Sequence, residues 1–358
     1  MEVITGVLYH SVGASCAAMC YTPQRKVAHW SWQTYWLAQA AVCWFLLPLI
    51  IAWFTIPNIT AVLHEAPADA MYTTFLYGAA YGIGGTAFGM AIRYVGFSLT
   101  YAIAVGISCV LGTLLPPLVH GELSSLFGQK GSGLIVTGIT IGALGIALCG
   151  VAGRYKEHDL EINKTSGSNF SLAKGLPLCL LAGVLSAVYG FSIDQGKPIA
   201  DIAEKYGSGN FKINVVYIFS NTGAFLSTLI YCLYLHRKQS TFGEYRLPAA
   251  NNDHRSSEQK GRAQLAVNFI MAILTGILWY SQFFFYGLGH VRMGKYQYSS
   301  WAIHMIMLVL FSSITGLVMK EWIGCRKKTI SMLVLALIVL ILAVLALTYG
   351  NVLSEVEG

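Results

Sequence analysis

Read for polarity alone, the chain is a succession of apolar runs of about 20 residues, the length that crosses a ~30 Å hydrocarbon core. They fall at 3–22, 33–55, 71–92, 97–118, 133–153, 174–194, 212–235, 264–288, 298–319 and 330–350. The pattern predicts an all-α integral membrane protein of ten transmembrane helices. The third and fourth runs leave room only for a tight turn around Arg93 and Gly96. The tenth is almost purely aliphatic and is expected to face lipid or a partner. The others are broken by Gly, Ser, Thr and Tyr, and small residues let helix backbones approach closely in a membrane. Between His236 and Gln264 lies the longest polar segment, with "NNDHRSSEQKGR", expected to be solvated and mobile.

Composition agrees. Of 358 residues, 55% are hydrophobic and 11% charged, with mean hydropathy +0.59. A soluble domain carries about 25% charged residues. A chain this poor in charge covers a lipid-facing surface, where no water has to be met. The net charge of +7 sits between apolar runs rather than on one folded face, so nucleic acid is not an expected partner. Of the 23 Lys and Arg, 17 fall in the segments after odd-numbered runs and 6 in the remaining segments and termini. The positive-inside rule therefore places the odd-numbered loops in the cytoplasm and both termini outside. The N-terminal run lacks a basic leader and a small-residue cleavage site, and reads as a first span rather than a signal peptide. Seven of the eight Cys lie inside apolar runs and read as small hydrophobes. Cys16 and Cys20 have no further ligands at zinc-site spacing, and no disulfide framework is visible.

The chain divides into a first five-helix repeat (1–153), a cytoplasmic linker (154–173) and a second five-helix repeat (174–358). Five is odd, so the second half runs inverted, an arrangement that secondary transporters use to hold substrate at the repeat interface. At an offset of 170, Gly13 and Ala17 match Gly183 and Ala187, and Tyr21 falls beside Phe191. At an offset of 198, Gly78, Tyr81, Phe88, Gly89 and Gly96 match Gly276, Trp279, Tyr286, Gly287 and Gly294.

The candidate chemistry lies on the eighth run. Its "TGILWYSQFFFYGLGH" sets Thr275, Trp279, Gln282 and Tyr286 on one helix face. Flat rings alternating with hydrogen-bonding groups suit a sugar, whose C–H face needs cover and whose hydroxyls need partners. A Gln in mid-span is costly against lipid and points inward. The third run offers Tyr77, Tyr81, Gly84 and Phe88, with Gly84 leaving room opposite Gln282. His10 and His304 are the titratable groups in mid-span. An imidazole there carries a coupling proton, binds a hydroxyl or ligates a cation. His304 lies one turn from Trp301. His290 and Arg292 fall at the outer rim. An enzyme would need paired carboxylates, an activated nucleophile or a metal cluster, and none is found; "GIGGTAFG" lies within an apolar run and lacks the Lys-Ser/Thr of a phosphate loop.

Four segments, "KVAHWSWQTYW", "YGAAYGIGGTAFGMAIRYVGFSLTYAIAVGISCVLGTLLPPLVHGE", "LWYSQFFFYGLGHVRM" and "SSWAIHMIMLVLFSSITGLVMKEW", resemble the L-rhamnose–proton symporter family of the drug/metabolite transporter superfamily over nearly the whole chain. The resemblance implies ten helices in a five-plus-five inverted repeat of the bacterial inner membrane, and uptake of a 6-deoxyhexose with protons. Expected partners are a small-molecule sugar and the lipid bilayer. The expected sugar contacts are Trp279, Gln282, Tyr286, Tyr81, Thr275 and Trp301, and the expected ion-coupling groups are His10 and His304. The coupling ion is expected to be a proton. If a divalent cation couples instead, His10, Gln282 and His304 are the expected ligands. In two places the chain departs from the family pattern. Gln33 stands where the pattern has Glu, and Gln cannot titrate, which moves the coupling role toward His10 or His304. The sixth run ends in "YGFSIDQGKPIADIAEKYG", whose Asp194 and Lys197 form either a local helix-end pair or part of a pocket mouth.

Overall fold

A computed structural model describes residues 2–95, 97–121, 131–161, 171–246, 255–294 and 297–355. Ten helices in it are long and apolar enough to cross a membrane. They are, in order, Glu2–Met19, Trp32–Thr55, Ala68–Val95, Phe97–Val119, Ser132–Glu161, Leu172–Gln195, Ile213–Gln239, Arg255–His290, Ser299–Val318 and Lys327–Glu355. Short helices Ile59–Glu65 and Lys197–Lys205 lie between the second and third and between the sixth and seventh spans. Each expected run is one of the ten. Gly96, expected in the tight turn, lies outside the described residues.

Several helices run further than hydropathy suggests. The fifth continues to Glu161, where Asp159 accepts hydrogen bonds from the backbone N–H of Arg326 (2.9 Å) and from Thr329 Oγ1 (2.6 Å) at the start of the tenth span. The eighth begins at Arg255, and the seventh reaches Gln239, so much of the segment expected to be solvated is helix. Its turn Phe242–Tyr245 is also fixed. Glu244 Oε2 accepts from Ser31 N (2.7 Å), Ser31 Oγ (2.9 Å) and Thr34 Oγ1 (2.5 Å), tying the turn to the start of the second span.

The second span contains one π-helical stretch, Ala41–Leu46. Pro48 follows it and has no N–H to give. The ladder widens here, and Leu47 N–H reaches back five residues to the Val42 carbonyl. The stretch carries Trp44 inward, with its ring centre 5.2 Å from that of Trp279.

Packing follows a regular scheme. The third span packs on the sixth and seventh, and the eighth on the first and second. The fourth packs on the sixth and fifth, and the ninth on the first and tenth. The fifth packs on the tenth. Exchanging each span for the one five places along converts each of these pairings into another of the set, and the fifth–tenth pairing into itself.

Glycine makes the closest of these contacts possible. A Cβ on Gly78 would meet the Ser220 carbonyl of the seventh span, and one on Gly276 would meet Val42 and the Gln39 carbonyl of the second. Gly89 faces Trp32 at the start of the second span, and Gly287 faces Ile213 and Tyr217 at the start of the seventh. The tenth span buries Leu333, Ala336, Leu340, Ala343 and Leu347, and Leu340 and Leu347 sit over Gly145 and Gly138 of the fifth. Leu335, Ile338, Leu342 and Leu345 on its other face are exposed, as the aliphatic run predicts. All eight cysteines are free thiols.

Candidate functional site

The first, third, fourth, sixth, eighth and ninth spans line a central cavity. Of the expected sugar contacts, Trp279, Gln282, Tyr286, Tyr81 and Trp301 line it, and His304 lines it with them. The Gln282 side chain faces this cavity rather than lipid, with the residue 8% exposed. Lining positions on the third span are Tyr81, Gly84, Gly85 and Phe88, and an offset of 198 carries each to a lining position of the eighth, Trp279, Gln282, Phe283 and Tyr286. An offset of 200 does the same for Tyr101, Ala104 and Val105 of the fourth span and Trp301, His304 and Met305 of the ninth. The offset of 170 does not superpose the lining residues of the first span (Ala17, Cys20, Tyr21) on those of the sixth (Ala182, Ser186, Tyr189).

Each ring is held from behind. Trp301 packs between Gly112 and Gly190, and its indole N–H donates to the Ser108 carbonyl (2.9 Å). Ser108 Oγ in turn lies 3.0 Å from Ser186 Oγ on the cavity wall. Tyr189 donates to Asn221 Oδ1 (2.5 Å). Trp279 is edge-on to Tyr21, Trp36 and Trp44, with ring centres 5.5, 5.4 and 5.2 Å away. These supports fix the aromatic faces before any ligand arrives, so little ordering entropy is left to lose on binding.

Two expected residues lie elsewhere. Thr275 is fully buried, one turn beyond Trp279, where the second span packs, and its hydroxyl is paired with that of Tyr35. Its helix face is the expected one, but the cavity ends before reaching it. His10 is also fully buried and stands behind the wall, its ring centre 5.2 Å from Tyr286 and 5.7 Å from His304. Tyr77 packs on Phe191, outside the cavity lining. Gln33 lies outside the cavity too. Its amide donates to Gln239 Oε1 (3.0 Å) and Thr241 Oγ1 (2.9 Å). The sequence did not single out Tyr101, Tyr189 or Ser186 as lining. A separate offset of 200 between the fourth and ninth spans would have found Tyr101 opposite Trp301. Among the described residues, no three His, Cys, Asp or Glu side chains gather as a metal site.

A vestibule lies beyond each end of the cavity. On the side of the odd-numbered loops, it is bounded by the ends of the first, third and ninth spans and the start of the second, and Tyr21 lines both spaces. On the other side, the vestibule is bounded by the ends of the sixth, eighth and fourth spans and the starts of the seventh and ninth. Here Tyr286 and Trp301 are the shared walls. Each vestibule has an ion pair joining its helix ends. Glu321, after the ninth span, pairs with Arg25, after the first, and with Lys156 of the fifth (3.2 Å). His120, after the fourth span, lies 2.7 Å from Asp194, at the end of the sixth. Asp194 thus lines a vestibule mouth, one of the two alternatives left by the sequence. His290 lines the same vestibule, while Arg292 lies 3.3 Å from Glu2 and over the Tyr9 ring.

Compared with known proteins, the chain matches the family model described as L-rhamnose-proton symport protein (RhaT) over residues 1–352. It is 33% identical over 344 residues to the L-rhamnose-proton symporter of Pectobacterium atrosepticum, covering 95% of this chain and 96% of the relative. The same identity and coverage hold for the L-rhamnose-proton symporter of Cronobacter sakazakii. That of Yersinia pestis is 32% identical with the same coverage.

Proposed function

The chain belongs to the L-rhamnose-proton symport protein family, and on that premise we propose that it takes up L-rhamnose together with a proton across the bacterial inner membrane. The observation that carries this reading is a cavity of rigid aromatic faces and a few polar groups, set between vestibules on opposite sides of the bundle. Trp279, Tyr81, Tyr286 and Trp301 cover the C–H face and methyl group of a 6-deoxyhexose. Gln282, His304 and Ser186 pair its hydroxyls. Any of these left unpaired in a buried site costs ~1–3 kcal/mol, which makes the polar groups the source of selectivity. His10 and His304 carry the coupling proton, since an imidazole can bind and release a proton and, among the described residues, the cavity lining holds no carboxylate.

The two halves, 1–153 and 174–358, act as inverted repeats that rock about the sugar. The packing scheme, the matching glycine contacts and the coincident lining positions support this. So does the correspondence between vestibules: the first, second, third and ninth spans bound one, and the sixth, seventh, eighth and fourth the other, which the start of the ninth also borders. With the odd-numbered loops in the cytoplasm, Glu321 with Arg25 and Lys156 forms the inner gate, and His120 with Asp194 the outer. The ion-pair side chains of both gates are partly exposed, so each pair is worth only ~0–1 kcal/mol. A gate that must open in every cycle needs contacts this weak.

Proteoliposomes loaded at one pH and diluted into another are the direct test. L-rhamnose uptake should rise when the outside is more acid and should alkalinise the outer medium; uptake indifferent to the proton gradient would sink the symport reading. For the inner gate, Glu321→Gln removes one partner from Arg25 and Lys156. It should raise the rate at which a Thr315→Cys thiol, at a position lining that vestibule, reacts with an impermeant maleimide from the odd-loop side, by up to about fivefold for ~1 kcal/mol of lost gating. An unchanged rate would remove Glu321 from the gate.

A further inference from the structure

Three imidazoles from three different spans surround one tyrosine. Around the Tyr286 ring centre lie those of His10 at 5.2 Å, His304 at 5.4 Å and His290 at 5.6 Å, the last stacked at 18°. His10 and His304 are 5.7 Å apart, edge to face. Neither nitrogen of His10 has a hydrogen-bond partner in the protein, and Nδ1 of His290 and of His304 has none either. Imidazoles left with free nitrogens in a buried cluster are unusual enough to require a reason.

Their positions supply one. His290 lines the vestibule on the side of the chain termini, and His304 lines the central cavity. His10 lines neither space but lies against both neighbouring helices. Gly289 makes that approach possible: a Cβ there would stand 2.8 Å from His10 Nε2. Tyr286 and Trp301 are walls common to the two spaces, so sugar passes only when they part. A proton passed through His10 goes behind that wall.

We propose that His290 takes the coupling proton from water in the outer vestibule and that His10 relays it to His304, beside the sugar. This rests on the proton-symport reading above. At each step one imidazole nitrogen binds the arriving proton and the other nitrogen of that ring releases one, so a single positive charge advances while each donor returns to neutral. The proton on His304 leaves to water when the cavity opens inward, and nothing is oxidised or reduced. Asp194 and Asp201 share the vestibule with Lys197 and Lys212. Two carboxylates offset two ammonium groups there, and His120 lies on Asp194, so a cation reaching His290 meets little net repulsion. Arg292, next along the chain, faces Glu2 and Tyr9.

The test separates sugar exchange from proton-driven accumulation. In proteoliposomes, His290→Gln should slow exchange of labelled L-rhamnose at equal pH by less than about threefold, and both His290→Gln and His10→Gln should lower accumulation driven by an acid exterior by about tenfold or more, as loss of a proton-transfer group does. Imidazole buffer outside should partly restore His290→Gln, whose site is open to the vestibule, and not His10→Gln, whose site is sealed. Accumulation at the wild-type level in His290→Gln would overturn the relay while leaving symport intact. Loss of exchange in both His290→Gln and His290→Asn would also overturn it, by showing a structural or sugar-binding role. A wild-type protein whose uptake ignores the gradient would instead overturn the symport reading itself.

Discussion

Gln282→Leu should lower the affinity for L-rhamnose by roughly 5- to 150-fold, the equivalent of ~1–3 kcal/mol for one buried hydroxyl left without its partner. Leucine keeps the bulk of the side chain and removes only the amide. The helix should therefore stay in place, with Gly13 still packed on the residue 282 carbonyl. Radiolabelled uptake and the rise in melting temperature produced by sugar both read the effect. Thr275→Val is the informative companion. It lies on the same helix face but outside the cavity, bonded to Tyr35. It should lower the melting temperature by orphaning a buried hydroxyl and leave uptake near wild type. Equal losses of uptake in the two variants would mean that the cavity wall has been assigned wrongly. Undiminished affinity in Gln282→Leu would remove the residue from the site.

The second large effect concerns the bundle itself. Gly78→Val should sharply lower the yield and melting temperature of the folded protein. A Cβ at Gly78 would fall on the backbone carbonyl of Ser220, and the reciprocal Gly223 faces the Phe75 carbonyl. Backbone cannot swing aside as a side-chain tip can, so the third and seventh spans would have to separate along their shared face. Overpacking typically costs ~1–3 kcal/mol, and this case belongs at or beyond the top of that range. Gly276→Val should behave alike against the Gln39 carbonyl of the second span, since the two positions match at the offset of 198 and meet backbone in the same way. Gly133→Ala is the control, because an added methyl there meets nothing within 4 Å. Wild-type melting of Gly78→Val would refute the close approach of these helices.

Much of this architecture was legible before any coordinates. A bilayer demands long apolar helices with their backbone groups satisfied internally, so run length and hydropathy fixed ten spans. The charge bias of the loops supported an orientation, and the quoted motifs pointed to the family. The offset of 198 anticipated which positions of the third and eighth spans share the cavity, because a helix face is a matter of spacing alone. Where a face begins to meet empty space depends on how its neighbours cross it. That is why Thr275, on the expected face, is sealed by the second span, and why His10 stands behind Tyr286 rather than in the cavity lining. The tie that Glu244 makes to Ser31 and Thr34 joins residues more than 200 positions apart, and no local pattern announces such a contact. Nor does any single helix reveal two vestibules of matching construction. Hydropathy registers only transfer from water to lipid, whereas cavities, gates and the histidine cluster arise from contacts between helices, which the glycine-to-backbone approaches and the crossing of ten spans decide together.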